Sequence, residues 1–259
     1  MPLSKNERKF LTQLKHRKYR ERAQRLLLEG PTLVHHACQV RPQLVEKIWV
    51  VENCAPMEHL WSRCQVPVST ISHRDAERIS SFKTPAEVFA LMRLPTFGSE
   101  ELRVNHLAIY LDGVQDPGNV GTILRTMDWF GWRPLLLSSD CADVFNPKTL
   151  RASMGSALTV PSSRISWTDL RRCYPHVACY VADTTGKSIA EMRSYPMPMI
   201  LVIGNEGHGV QPTIRASADG VLCIPHGHES QAESLNAAVA TAILCYDIWL
   251  KTQRGGSHH

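Results

Sequence analysis

From residue 103 onward, short apolar runs alternate with stretches of helical period. LAIYLD (107–112), PLLLSS (134–139), VACYVAD (177–183), MILVIG (199–204) and VLCIP (221–225) read as buried strands. The helical stretches between them imply a parallel sheet covered by helices on both faces. After the first strand, GVQDPGNVGTILRTMDWFGW places Ile123, Met127 and Phe130 on one helical stripe and offers Gly131 as the terminating cap. Arg125 lies about 200° around the wheel from Ile123, on the opposite face. The last stretch, SLNAAVATAILCYDIWLK, is apolar at 235, 239, 242, 243, 246, 249 and 250, so one broad face is expected to be buried.

The first part of the chain patterns differently. FLTQLKHRKYRERAQRLLLEG (10–30) reads as a helix ending near Gly30, KIWVVEN (47–53) and VPVSTIS (66–72) as strands, RDAERISS (74–81) as a short helix and EVFALMRL (87–94) as a closing strand. Pro, Gly and Ser interrupt the apolar pattern in LPTFGSEEL (94–102), which separates two α/β domains, 1–98 and 103–254. The terminal GGSHH (255–259) resembles an expression-tag remnant.

Composition narrows the classes. Of the 259 residues, 43% are hydrophobic and 20% charged, as in globular domains. No apolar run reaches the roughly 20 residues of a membrane helix, and the first residues lack the apolar core of a signal peptide. The eight cysteines (38, 54, 64, 141, 173, 179, 223, 245) form no C-x-x-C pair. That usage suits reduced thiols and a cytoplasmic location. Cys223, His226 and His228 lack a visible fourth ligand, so no metal is expected. Residues 1–30 hold nine Lys and Arg against three Glu, a surplus of +6 in a chain of net +5. Basicity so local is the footprint of a surface that meets a polyanion, although a solvated helix would read the same way.

Three glycine-bearing segments follow strands: DPGNVGTILRT (116–126), GNEGHGV (204–210) and IPHGHESQAESLNAAVA (224–240). The second is no dinucleotide fingerprint. It follows the fourth strand of its domain, not the first, and the next acidic residue, Asp219, precedes the following strand instead of ending it. Ligands of open α/β sheets bind beyond the carboxyl ends of the strands, which brings Asn119, Arg125, Glu206, Ser234 and Asn236 toward one pocket. Singly, Asn119 could be a helix cap, Glu206 a turn carboxylate and Ser234 the cap of the last helix.

Together and in this order, the segments resemble the three motifs of the SpoU/TrmH family of the SPOUT superfamily, which methylates ribose 2′-hydroxyls in RNA. The first carries Asn119 and Arg125, the second Gly204, Asn205, Glu206 and Gly207, and the third Ile224, Pro225, Ser234, Leu235 and Asn236. The segments LLLEGPTLV and SSFKTPAEVFALM resemble parts of the family's accessory substrate-binding domain. The stretch HGHESQAE (226–233) is longer than usual in the family.

The resemblance implies an α/β fold with a SPOUT-type, mostly parallel C-terminal sheet and a deep trefoil knot, beside a smaller N-terminal RNA-binding domain. It implies S-adenosyl-L-methionine as cofactor, held by Gly204, Asn205, Gly207, Ile224, Pro225, Leu235 and Thr184. It implies a homodimer, and RNA as the partner: ribosomal RNA is favoured by the separate first domain, transfer RNA is the alternative, and a non-catalytic RNA-binding protein is the competing class. Lys15, Arg17, Lys18, Arg20, Arg22 and Arg151 are the expected RNA contacts.

The catalytic set implied is Arg125, Asn119, Glu206, Ser234 and Asn236. A guanidinium does not surrender its proton in a protein. Arg125 is therefore read as the cation that stabilises a developing alkoxide and grips a phosphate. The hydroxyl proton would leave to water or to Glu206, while Asn119, Ser234 and Asn236 orient Arg125 and the ribose.

Overall fold

The computed structural model describes residues 3–54 and 58–255. Of the tag-like terminus, residues 256–259 lie outside the described residues. By contact the chain divides into two compact units, one of residues 1–96 and 143–159, the other of 97–142 and 160–259. The segment 143–159, which the sequence reading runs continuously within 103–254, thus packs with the first unit.

The first unit opens with α1 (Lys5–Gln13), whose N-terminus carries a capping box of Ser4 and Glu7. Next come α2 (Arg17–Ala23), β1 (Arg25–Glu29), α3 (Pro31–Val40), β2 (Val45–Val51), β3 (Val68–Ile71), α4 (His73–Ile79) and β4 (Val88–Arg93). The strands form one mixed sheet in the order β1-β4-β2-β3.

The expected helix over 10–30 is corrected in two ways. Extended backbone at His16 starts a second helix, and left-handed Gln24 (φ 51°) ends it. Arg25–Glu29 is then a strand, paired antiparallel with β4 from Arg25↔Arg93 to Glu29↔Phe89. Leu26, Leu27 and Leu28 are all buried, as in a strand covered on both faces. Leucine's helical propensity is worth only tenths of a kcal/mol per residue and yields to that burial. α3 escapes the sequence reading, although Gly30-Pro31 is a helix-start signal.

The basic segment is part of this core. Leu3, Leu11 and Leu14 are buried with Leu27, Trp49, Ile71, Ile79 and Phe89.

The second unit contains β5 (Leu107–Asp112), α5 (Pro117–Phe130) and β6 (Leu135–Leu137). α6 (Pro147–Ala152) follows within the 143–159 segment of the first unit. The second unit resumes with β7 (Ser162–Arg164), α7 (Trp167–Cys173), β8 (Ala178–Ser188), β9 (Met199–Gly204), α8 (Pro212–Ala216), β10 (Gly220–Cys223) and α9 (Ala237–Gly255). Its six strands run in the order β10-β8-β9-β5-β6-β7, every neighbouring pair parallel. The five expected strands all appear, and β7, with polar Ser162 and Ser163, is the addition.

β5 and β9 are adjacent from Leu107↔Met199 to Asp112↔Gly204, and nearly every residue in both is buried. α9 packs against α5 and β9. The loops after β5, β9 and β10 therefore leave one end of the sheet, as parallel order requires.

Candidate active site

The loop after β9 is a closed turn built from its own polar groups. Asn205 and Gly209 exchange two backbone hydrogen bonds, Asn205 N to Gly209 O at 3.0 Å and Gly209 N to Asn205 O at 2.9 Å. The Asn205 side chain accepts from Gly207 N at 2.8 Å and His208 N at 3.2 Å, and donates through Nδ2 to Gly113 O at 2.7 Å. Its amide is thus spent on tying this loop to the one after β5.

Asp112, 2% exposed at the end of β5, fixes the far side of the turn. It accepts from Gln211 N and Gln211 Nε2, each at 2.7 Å. The sequence reading missed Asp112, because its partner lies 99 positions away.

Gly204 is required by the turn itself. A Cβ there would stand 2.3 Å from Gly209 C and 2.4 Å from Val210 N. At Gly207 the nearest atom to such a Cβ would be Asn205 Oδ1 at 3.5 Å, an ordinary contact.

Three expected residues meet across this end of the sheet. Asn119, in the first turn of α5, donates through Nδ2 to Glu206 Oε1 at 2.5 Å and accepts at Oδ1 from Asn236 Nδ2 at 2.9 Å. The Asn236 Oδ1 accepts from Ala238 N at 2.9 Å and Val239 N at 3.2 Å, capping α9. Donor and acceptor roles fix both amide orientations. Backbone N–H groups can only donate to Asn236 Oδ1, so its nitrogen must face Asn119, whose own nitrogen must then face the carboxylate.

The modest structural roles considered for these residues fall elsewhere. Asp116 caps α5 through Asn119 N, and Asn236 caps α9, leaving Ser234 exposed with no hydrogen bond among the described residues.

Arg125 is also exposed, and its side chain makes no ion pair or hydrogen bond among the described residues. It lies six residues beyond Asn119, about 9 Å along the helix axis. Asn119 and Asn236 therefore hold each other and Glu206, and neither they nor Ser234 hydrogen-bonds Arg125.

The remaining strand-end residues surround this network in sequence. Ile224 is half-buried, Pro225 exposed and Leu235 47% exposed. Thr184 sits in a bulge of β8, where the register with β10 jumps between Val181 and Lys187, and its carbonyl accepts from Cys223 Sγ at 3.0 Å. Ser230 N bonds Gly227 O and Ala232 N bonds Ser230 Oγ. No other backbone N–H from His226 to Leu235 has a partner among the described residues. Burial holds the core thiols neutral, pushing Cys179 up to about 11 and Cys245 up to about 12, so neither is a nucleophile.

The expected RNA contacts in the first unit separate sharply. Arg20 is corrected from surface cation to internal strut. It is 3% exposed, paired with Asp143 through Nη2, and donates from Nη1 to Leu14 O at 2.8 Å and Lys15 O at 2.9 Å. Lys15 Nζ is likewise held, by Ser80 O at 2.5 Å and Arg78 O at 3.1 Å, and burial lowers its pKa. Arg17 pairs with Glu21 at the surface. Lys18, over the Tyr19 ring at 5.0 Å, and Arg22 are exposed. Arg151 is exposed as well, with its guanidinium carbon 4.5 Å from the Phe82 ring centroid.

Residues 106–246 match the SpoU rRNA Methylase family, and residues 5–90 match the MRM3-like substrate binding domain. The chain is 32% identical to the 23S rRNA (guanosine(2553)-2′-O)-methyltransferase RlmP of Bacillus subtilis (strain 168), over 90% of this chain and 91% of that one. It is 30% identical to the mitochondrial rRNA methyltransferase 3 of Mus musculus, over 92% of this chain and 70% of that one. Among solved structures, a putative RNA methyltransferase of the TrmH family from Porphyromonas gingivalis aligns with a TM-score of 0.80 and 37% identity, covering 96% of this chain and 98% of that one. The AdoMet-bound rRNA methyltransferase from Sinorhizobium meliloti, at 24% identity, shares the fold with a TM-score of 0.81, over 96% of this chain and 95% of that one. With its family match, its near-full-length relatives and the Asn119–Glu206–Asn236 network at the strand ends, this chain belongs to the SpoU rRNA methylase family.

Proposed function

We propose that the protein transfers a methyl group from S-adenosylmethionine to a ribose 2′-hydroxyl of ribosomal RNA. The observation that carries this reading is the hydrogen-bonded chain from Asn236 through Asn119 to Glu206. It draws one residue from each of the three motifs into a single solvent-open cluster. The RlmP relative supports ribosomal RNA as the substrate class.

S-adenosylmethionine supplies an electrophilic methyl on its sulfonium when bound. The site fits such a ligand. Leu235 offers apolar surface, and the unspent backbone N–H groups of 226–235 can meet the polar edges of adenosine. Ile224, Pro225, Gly207 and the Thr184 bulge complete the proposed cradle. Gly204 and Asn205 act through the turn they shape.

The attacking ribose oxygen must lose its proton as the new C–O bond forms. Glu206 Oε1 is held by Asn119, while Oε2 has no partner among the described residues, so Oε2 is the proposed proton acceptor. Arg125 brings a fixed positive charge for the alkoxide and an adjoining phosphate. Ser234 has a free hydroxyl for the ribose.

The homodimer belongs to the same reading. Trp129 is 83% exposed one turn beyond Arg125 on α5, and Tyr246 and Val239 on α9 are 52% and 48% exposed. Exposed tryptophan and further exposed apolar side chains on two helices that pack together, α5 and α9, are the signature of an interface. Trp129→Glu should convert a dimer to monomers in sedimentation. A cytoplasmic location and a knot in the C-terminal segment complete the reading.

The deciding experiment maps ribose 2′-O-methyls across total RNA with and without the protein. One ribosomal position should lose its methyl in the deletion. A missing methyl in transfer RNA, or none anywhere, would sink the substrate assignment.

A further inference from the structure

A cleft of about 410 Å³ opens in the first unit, lined by Glu29–Leu33, Phe82, Thr84–Glu87, Leu150, Arg151 and Met154. This volume falls within the ~300–1,000 Å³ of small-ligand sites. Its walls are mostly apolar, with Pro31, Leu33, Pro85, Leu150 and the 45% exposed Met154.

At its edge the Arg151 guanidinium lies over the Phe82 ring, and its side chain makes no hydrogen bond or ion pair among the described residues. The Glu29 carboxylate is anchored by Ser80 Oγ at 2.8 Å and by Ser81 N at 3.0 and 3.1 Å. The unit around the cleft carries 18 Lys and Arg against 10 Asp and Glu, a net +8.

We infer that this cleft takes one unstacked base of a single-stranded RNA segment. The inference rests on the RNA methyltransferase reading and assigns it a second anchor, apart from the reacting ribose. Three features fix the orientation. The anionic Glu29 repels phosphate from the cleft and suits the donor edge of a base. The Phe82 ring and Arg151 plane are stacking surfaces of the kind that hold splayed bases. The unspent donors of Arg151 reach outward to the phosphate that follows. A duplex cannot enter, because its bases stay stacked and paired.

The test uses the full chain and a fluorescently labelled RNA fragment, offered as a single strand and as a perfect duplex. Phe82→Leu keeps an apolar side chain but removes the ring. Single-strand affinity should fall about 5- to 150-fold, the range for losing one base–aromatic stack, while duplex affinity stays constant. Phe82→Trp should restore it, and Arg151→Gln should weaken the single strand alone. Circular dichroism and the urea midpoint of the first unit verify that each variant is folded. Unchanged single-strand binding by folded Phe82→Leu overturns the cleft assignment and leaves the methyltransferase reading standing. Equal losses for single strand and duplex also overturn it, since they would report general charge or shape. Failure of the methyl-mapping experiment with normal Phe82-dependent RNA binding strikes the catalytic reading instead.

Discussion

The two units of this protein treat charge in opposite ways. The first carries a net +8, and the second, with 11 Lys and Arg against 14 Asp and Glu, a net −3. Yet much of the first unit's positive charge is used internally. Arg8 pairs with Asp75, Arg20 with Asp143, Arg25 with Glu46 and Lys47 with Glu7. In the second unit, net negative overall, Arg125 stands exposed on α5, the helix whose first turn carries Asn119 of the polar cluster. A surplus of charge sets the field that draws in a polyanion, but the groups that touch it are those the fold leaves unspent.

The largest effect that tests this contrast is expected at Arg20. Arg20→Ala removes a guanidinium that is 3% exposed and leaves Asp143, 20% exposed, without its cation. Breaking such a pair costs about 3–5 kcal/mol, readable as a lower urea midpoint for the first unit. The salt dependence of RNA binding by the protein that remains folded should not change. A variant of normal stability with weaker RNA binding would return Arg20 to the surface set.

Next in size is Arg125. Arg125→Ala should lower turnover by about 10² or more, as expected for a preorganised group that acts on developing charge. Affinity for S-adenosylhomocysteine and the unfolding midpoint should both hold, because the exposed side chain carries no structural bond. Arg125→Lys should also be slow, since an ammonium cannot reproduce the fork. Near-normal turnover in the lysine variant would reduce Arg125 to a simple countercharge.

What the sequence made legible follows from the range of the interactions involved. The central strands β5, β6 and β9 announce themselves because both faces are buried and their apolar runs are continuous, whereas the polar edge strand β7 does not. The members of the Asn119–Glu206–Asn236 cluster are visible because three local motifs carry them. Arg25–Glu29 was not legible as a strand: three leucines suit a helix locally, and only pairing with β4, more than sixty positions on, makes them β. The packing of 143–159 with the first unit, and the Asp112–Gln211 clasp, are long-range facts with no local signature. Ser234 reads locally as the cap of the last helix, but Asn236 holds that position. The two lie in one short polar stretch, where helix boundaries are least certain.

The smallest and most selective effect belongs to Lys18 and Arg22. Both are exposed on α2, and neither forms an ion pair among the described residues. Replacing both with Gln should leave stability within about 0.5 kcal/mol, as for surface positions away from special features. If each meets one phosphate, the slope of log K against log salt should flatten by about 0.7 per contact, the single-strand value. The contrast with Arg20 then becomes a double dissociation within one short helix: one cation controls folding without touching the slope, two control the slope without touching folding. Removing residues 1–25 could not separate these effects, because Leu3, Leu11 and Leu14 would leave the core with the charges. An unchanged slope in the double variant would mean that the exposed cations of α2 face only solvent, and that the first unit holds RNA through other groups.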